Sequence, residues 1–235
     1  FLSCIFVFRG VKGGIEKGAK WLMPLFFIIL VFLLVKGLFL PQAKEALVFL
    51  FHPDFSSLTA LSWLTALGHA FFTLSLGQGT MITYGSYLNK RDCIPSSCVT
   101  IALADTFVSL AAAVIIFTAA FSTGHQPDAG PGLLFQTMPM IFSSMSGGSL
   151  LALLFFTLVF LATITSQVSV LEPVVSFLVD EKKVERHRAV WITGIAAFIF
   201  GLPCVLSTNV LSEVTFCSKT VLDLFELGTQ NFLIP

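Results

Sequence analysis

The stretch Phe71-Phe-Thr-Leu-Ser-Leu-Gly-Gln-Gly-Thr80 decides the fold, because it places helix-weakening residues in the middle of a long apolar run. Two glycines flank Gln78, and Thr73 and Ser75 stand just before them. Glycine weakens a helix interior, and Ser and Thr hydroxyls compete for the backbone groups that a break sets free. The pattern predicts a discontinuous helix at about residues 67–88, and a face of small residues packed against a neighbouring helix is the alternative.

The chain as a whole is too apolar for a protein that faces water on all sides. Its 235 residues are 56% hydrophobic and 11% charged, with a formal net charge of zero and a mean hydropathy of +0.93. A soluble domain carries roughly 25% charged residues. The composition therefore excludes a soluble enzyme, a disordered tail and a basic nucleic-acid-binding protein, and it predicts an all-α polytopic membrane protein.

Both ends of the chain read as though they were cut inside a membrane helix. Residue 1 is Phe and not Met, and the apolar run 1–8 is far shorter than the ~20 residues that cross a bilayer. A further apolar run begins at residues 231–235. The sequence is therefore interpreted as a fragment, a single transmembrane domain over 1–235.

Five runs have the length that a bilayer crossing needs, namely residues 21–40, 67–88, 98–121, 150–178 and 189–206, with partial helices at both ends. Ten of the 13 Lys and Arg residues fall in three loops, residues 9–20, 89–97 and 179–188. Because basic loops stay in the cytoplasm, these three are predicted to be cytoplasmic.

The two longer loops, 41–66 and 122–148, are then predicted to lie outside. In the first, residues 42–51 read as a short amphipathic helix, with Asp54 or Ser56 as the N-cap of the next helix. In the second, residues 131–146 predict a lid that dips back toward the protein, with a membrane-surface loop as the alternative.

Two clusters of polar residues lie where lipid contacts are expected. In the third span, Asp105 and Ser109 share one helix face, and a carboxylate there is costly unless it faces a cavity or a cation. The alternative is an Asp that is protonated or reaches the membrane surface. In the fourth span, the Ala162 carbonyl and the hydroxyls of Thr165 and Ser166 can converge on a small cation if the helix bends, although such hydroxyls more often bond to the preceding turn.

One more acidic residue stands at the cytoplasmic end of the fourth span. Glu172 precedes Pro173, which is expected to kink the helix. Extension of the Glu172 side chain to the membrane surface is a sufficient explanation of its place in the sequence.

These patterns resemble the neurotransmitter:sodium symporters, the LeuT-type carriers. The resemblance is close to helix 6 of that family at residues 68–87, and to helix 7 of its bacterial members at residues 103–109. It continues with outer loop 4 at residues 134–142 together with Gly147 and Gly148, and with helix 8 at residues 163–173. The family fold is an inverted repeat of helices 1–5 and 6–10. On that template the chain runs from the end of helix 4 to the start of helix 10, so this would be a partial bundle.

The resemblance implies two sodium sites, each only half present in this chain. Thr73 and Asp105 would contribute to the first site, and Ala162, Thr165 and Ser166 to the second. The implied substrate-binding residues are Phe72, Thr73, Ser75, Gln78, Ser166 and Val170. Phe72 and Glu226 would form part of an outer gate, and no catalytic residue is implied.

The resemblance also implies a function: sodium-coupled symport of an amino acid or related amine by alternating access, in a bacterial inner membrane, by a monomer or a homodimer. Asp105 stands where many relatives have Asn, so a fixed negative charge is predicted to make chloride unnecessary. An ion channel subunit is the first alternative, although it would need a continuous wet pore. An intramembrane enzyme is the second, but Asp105 has no partner Asp in a span and His69 stands at a span's outer end.

Overall fold

The chain is almost entirely helical in a computed structural model, which confirms the predicted all-α class. The structure describes residues 2–52, 55–56, 58–88, 93–124, 133–207 and 220–228, without the side chains of residues 11, 12, 136, 223, 226 and 227. The helices are α1 (Leu2–Phe8), α2 (Glu16–Leu38), α3 (Ala43–Phe51), α4 (Ala60–Thr73), α5 (Thr80–Ser86), α6 (Ile94–Ser122), α7 (Met138–Ser144), α8 (Gly148–Asp180), α9 (Arg186–Leu206) and α10 (Val221–Gly228). Short π-helical segments, Val11–Ile15 and Leu133–Thr137, precede α2 and α7.

Four of the described helical stretches are long and apolar enough to cross a membrane: Gly13–Leu38, Ile94–Ser122, Gly148–Asp180 and Arg186–Leu206. They overlap four of the five spans that the sequence predicts. The remaining predicted span, 67–88, is divided between α4 and α5. The discontinuous helix is therefore confirmed, while the number of crossings stays a prediction.

The chain divides into two compact units. The first comprises Phe1–Lys17, Leu58–Cys98 and Thr165–Pro235, and the second comprises Gly18–Ser57 and Val99–Ile164. In the first unit, buried apolar side chains of α1, α8 and α9 form a small core that consists of Cys4, Val7, Val168, Val175, Ala189 and Val190. In the second unit, a larger core joins α2, α6, α7 and the first part of α8, and Leu30, Ile115, Met138, Ile141 and Phe155 lie in it.

Both of the loops predicted to lie outside contain a helix that packs against its own unit. The predicted amphipathic helix is confirmed as α3, whose Ala46 is fully buried and whose Phe49 ring lies 5.4 and 5.5 Å from the rings of Phe117 and Phe121. In the second loop, α7 buries Met138 and Ile141 completely in the core. This helix therefore packs into the core of its unit, while its place relative to the membrane surface stays a prediction.

The N-cap of α4 differs from the prediction. Ser56 lies in a turn, Asp54 is outside the described residues, and the cap is Thr59, whose backbone is extended. The Thr59 hydroxyl accepts a bond from the Ser62 amide at 3.3 Å, and the Ser62 hydroxyl accepts one from the Thr59 amide at 3.1 Å. This reciprocal pair satisfies two amides that the first helical turn leaves without partners, which is why the helix starts here.

A close contact between α2 and α6 depends on a residue without a side chain. A Cβ placed on Gly37 would lie 2.7 Å from the Thr118 hydroxyl oxygen, well inside van der Waals contact. We expect Gly37→Ala to destabilise the full-length protein by about 1–3 kcal/mol, because overpacking forces neighbouring side chains to move. Thermal unfolding in detergent measures the effect.

The matched control for Gly37→Ala is Gly85→Ala in α5, where no atom lies within 4 Å of the new Cβ. This variant should be neutral, or more stable by about 0.5–1 kcal/mol, because Ala favours helix over Gly. Thr118→Ala in the Gly37→Ala background removes the clashing oxygen and should restore part of the loss. A double variant no more stable than Gly37→Ala would contradict this explanation.

Candidate functional site

The α4–α5 joint, residues 74–79, is an opened stretch of backbone between two short helices. Ser75, Gly77 and Gly79 all have positive φ angles, of 54°, 79° and 78°. Two of the three are glycines, which adopt this conformation at little cost, whereas Ser75 is an uncommon non-glycine residue in the left-handed region. The two glycines around Gln78 therefore interrupt the helix, as the sequence pattern predicts.

Specific backbone hydrogen bonds cap the end of α4 and the start of α5, whereas the carbonyls between the two helices accept no backbone amide among the described residues. The Leu76 amide donates to the Phe71 carbonyl at 2.8 Å and the Ser75 amide to the Phe72 carbonyl at 3.0 Å, as in a Schellman cap. On the other side, the Thr83 amide donates to the Gly79 carbonyl at 3.0 Å. Among the described residues, no backbone amide donates to the carbonyls of residues 73–78.

The joint lies beside α8 in the first unit. A Cβ placed on Gly79 would lie 3.9 Å from the Cβ of Pro173, and α8 continues through this proline without a break to Asp180. Val170 and Ser166 precede Pro173 by three and seven residues, which is about 5 and 10 Å along the helix axis. The predicted substrate-binding residues of the joint and of α8 thus belong to neighbouring segments of one unit.

The half of the second sodium site that the sequence predicts lies on an unbroken helix. Ala162 precedes Thr165 and Ser166 by three and four residues on α8, so the three share one face. Ala162 and Thr165 are half-buried and Ser166 is exposed, as is Val170 one turn further along. Thr163 points elsewhere, and its hydroxyl donates to the Val159 carbonyl at 2.8 Å.

Asp105 lies in the other unit, on α6, and its side chain is half-buried. Ser109 follows it by one turn on the same face and is exposed. The Thr106 hydroxyl, between them in sequence, bonds back to the Ala102 carbonyl at 2.9 Å and so resembles an ordinary helix threonine. The pairing of Asp105 with Thr73 in one sodium site stays a prediction.

The two residues assigned to the outer gate lie on separate helices of the first unit. Phe72 is in the last turn of α4, and its side chain is 40% exposed. Glu226 lies on α10, and its side chain is outside the described part of the chain. Their roles in a gate stay predictions.

An ionic cluster, which the sequence does not predict, forms around the buried carboxylate of Glu172. This Glu172 cluster consists of Glu172, Arg186, Tyr87, Ser176 and the carbonyl of Val7. Arg186 Nη2 lies 2.9 and 2.6 Å from the two carboxylate oxygens, and the Tyr87 hydroxyl donates to one of them at 2.9 Å. The Arg186 Nε and Nη2 atoms also donate to the Val7 carbonyl, at 3.1 and 2.9 Å.

The interpretation that Glu172 extends to the membrane surface is wrong. Its side chain is fully buried, its charge is balanced by the Arg186 guanidinium, and it accepts hydrogen bonds from the hydroxyls of Tyr87, just after α5, and Ser176 on α8. Such pairing is what a carboxylate inside a low-dielectric region requires. Arg186 stands 14 residues later, at the start of α9, and it is available because the chain reverses direction between α8 and α9.

The long apolar helices are those of an integral membrane protein, and the opened joint between α4 and α5 is a discontinuous membrane helix of the kind found in secondary transporters. The chain belongs to the sodium:neurotransmitter symporter family, whose profile it matches over residues 1–225. It is 41% identical over 236 aligned positions to the uncharacterized sodium-dependent transporter YhdH of Bacillus subtilis (strain 168), covering 100% of this chain and 52% of that protein. It is 27% identical over 260 positions to sodium-dependent nutrient amino acid transporter 1 of Drosophila persimilis, covering 99% of this chain and 40% of that protein.

The fold agrees with a solved member of this class. The crystal structure of MhsT in complex with L-phenylalanine superimposes with a TM-score of 0.90 at 38% sequence identity, covering 100% of this chain and 54% of that one. The resemblance to LeuT-type carriers is therefore confirmed. The chain spans about half the length of the relatives that it matches.

Proposed function

We propose that the full-length protein is a symporter that couples sodium entry to uptake of an amino acid or related amine by alternating access. The α4–α5 joint carries this proposal, because the carbonyls of residues 73–78 accept no backbone amide among the described residues. Carriers use such unwound segments within the membrane to present carbonyl oxygens to cations and helix ends to anions. The family, whose members above are named as sodium-dependent transporters, supports sodium as the coupling ion.

The proposal includes two sodium sites, each with only part of its ligands in this chain. The first would take the Thr73 hydroxyl and the Asp105 carboxylate, and the second the Ala162 carbonyl with the hydroxyls of Thr165 and Ser166. All five groups offer the hard oxygen atoms that small cations prefer. The remaining ligands would come from parts of the protein outside this chain.

The substrate would lie against the joint. The backbone around Phe72, Thr73 and Ser75 offers carbonyl oxygens to an ammonium group, while Gln78, Ser166 and Val170 would contact the substrate side chain. Phe72 and Glu226 would close the site toward the outside. MhsT was solved with L-phenylalanine, which supports an amino acid as the class of cargo.

The Glu172 cluster would hold the cytoplasmic end closed. It ties the end of α5 to α8, to the start of α9 and to the end of α1. Basic loops at 9–20, 89–97 and 179–188 are proposed to face the cytoplasm of a bacterial cell, with the protein in the inner membrane as a monomer or a homodimer. Sodium would drive transport because it binds the outward-open and inward-open states with different affinity.

Uptake by the full-length protein in proteoliposomes tests the proposal. We expect saturable accumulation of at least one radiolabelled amino acid from a panel of twenty, only when sodium is imposed as an inward gradient. Single-channel currents without saturable uptake would favour the channel alternative. Hydrolysis of a membrane-embedded peptide would favour the enzyme alternative.

Chloride should not be needed for transport. Replacing chloride with gluconate is expected to leave sodium-driven uptake by the full-length protein unchanged, because Asp105 supplies a fixed negative charge near the bound sodium. Asp105→Asn removes that charge, so uptake by this variant should fall and should recover in part when chloride is present. Uptake by the unmodified protein that stops in gluconate would refute the proposed role of Asp105.

A further inference from the structure

A groove of about 430 Å³ lies in the second unit, at the end of α2. We name it the α2 groove, and its wall comes from α2, α6, α7 and the start of α8. Its floor is apolar and closed, since Leu33, Ile115 and Ala119 are each 4% exposed. Its rim is apolar and open, with Phe39 84% and Leu150 59% exposed. The volume lies within the ~300–1,000 Å³ that ligand sites commonly occupy.

Lys36 supplies the groove with its single charge. The ammonium lies 5.9 Å above the Phe32 ring, which also lines the groove, and no lining residue is acidic. No ion pair is found for Lys36 among the described residues. The groove is therefore apolar along its length and positive at one place.

The position of Lys36 along α2 sets the depth of this charge in the membrane. Lys36 is in the last turn of an apolar helix that is long enough to cross a bilayer. A lysine at the end of such a helix lies at the level of the lipid headgroups. Phe32, one turn earlier, and the groove floor beside it lie at the level of the acyl chains.

We propose that the α2 groove binds an anionic phospholipid, with its phosphate against Lys36 and an acyl chain along the floor formed by Leu33, Ile115 and Ala119. Charge complementarity favours an anionic lipid over a zwitterionic one, since the Lys36 ammonium attracts a headgroup with a net negative charge. The apolar floor favours a chain-bearing lipid over a free phosphate. The α2 groove is part of the second unit, whereas the joint and the Glu172 cluster belong to the first unit.

Native mass spectrometry of the full-length protein tests the charge. Phosphatidylglycerol and phosphatidylcholine with the same acyl chains are titrated onto purified protein. Lys36→Gln should weaken phosphatidylglycerol binding about fivefold, while Lys36→Arg should retain it. The matched control is Lys44→Gln on α3, an exposed lysine that does not line the groove, and it should leave binding unchanged.

A second pair of variants tests the acyl chain without changing the charge. Leu150→Asn places a polar group on the rim and should weaken phosphatidylglycerol binding at least about threefold. Leu153→Asn changes a similarly exposed leucine on α8 that does not line the groove, and it should have no effect. Equal losses in Lys36→Gln and Lys44→Gln would show diffuse surface attraction and overturn the proposal. Binding that neither Lys36→Gln nor Leu150→Asn weakens would mean that another segment of the longer protein covers the groove, and would overturn it too.

Discussion

Replacing Arg186 with alanine is expected to destabilise the full-length protein by about 3–5 kcal/mol, because it leaves the buried Glu172 carboxylate without its cation. The side chain of Glu172 is fully buried, and Arg186 contacts both of its oxygens. The Val7 carbonyl at the end of α1 loses its two donors in the same variant. Thermal unfolding in detergent, followed by circular dichroism, measures the loss.

Two further variants separate this explanation from a general effect of removing an arginine. Arg188 pairs with Glu185 at 3.4 Å, and both side chains are 74% exposed, so Arg188→Ala should cost no more than about 1 kcal/mol. Glu172→Gln in the Arg186→Ala background removes the unpaired charge and should recover most of the lost stability. If Arg186→Ala and Arg188→Ala were equally stable, the Glu172 cluster would not hold these helices together.

The double variant Thr165→Val, Ser166→Ala is expected to raise the sodium concentration that half-activates uptake by at least about tenfold. It removes two hydroxyl ligands of the proposed second sodium site, and even outer partners of a metal site change affinity 10–100-fold. The substitutions keep the approximate size of both side chains, so α8 should remain intact. Uptake at a series of sodium concentrations in proteoliposomes measures the shift.

Thr163→Val is the matched control for this double variant, because Thr163 lies on the same helix and its hydroxyl bonds to the Val159 carbonyl. Its sodium dependence should remain that of the unmodified protein. An unchanged sodium dependence in the double variant would remove Thr165 and Ser166 from the sodium site. The first proposed sodium site, with Thr73 and Asp105, would then be tested separately by substitution of those two residues.

The discontinuous helix could be predicted because its cause is local. Gly77 and Gly79 stand within an apolar run, and both adopt positive φ angles that other residues rarely accept. The left-handed Ser75 could not be predicted in the same way. It adopts this conformation because the Schellman bonds at the end of α4 require it, and those bonds depend on where the helix stops.

The Glu172 cluster could not be predicted from spacing along one helix. Its partners come from Val7, Tyr87 and Arg186, which are far apart in the chain and meet only after α1, α5, α8 and α9 have packed. The general rule that a membrane-embedded carboxylate needs a cation predicts a basic partner for Glu172, and the basic loop at 179–188 contains that partner, Arg186.

The start of α4 shows a smaller error of the same kind. Several hydroxyl and carboxyl side chains stand in residues 54–62, and each is an acceptable N-cap by type. The choice of Thr59 depends on its reciprocal bond with Ser62, which the residue types alone do not distinguish. Residue type alone therefore locates such a boundary only within a few positions.

The double bond from Arg186 to the Val7 carbonyl has a consequence for how this end of the protein can move. If α1 and α9 separate, the Val7 carbonyl loses both of its Arg186 donors, while Arg186 keeps its contact with Glu172 on α8. Polar atoms exposed in this way require solvent, since leaving them bare in a dry gap is costly. We therefore expect water to enter the space between α1 and α9 whenever the two helices separate, and to hydrate the Val7 carbonyl first.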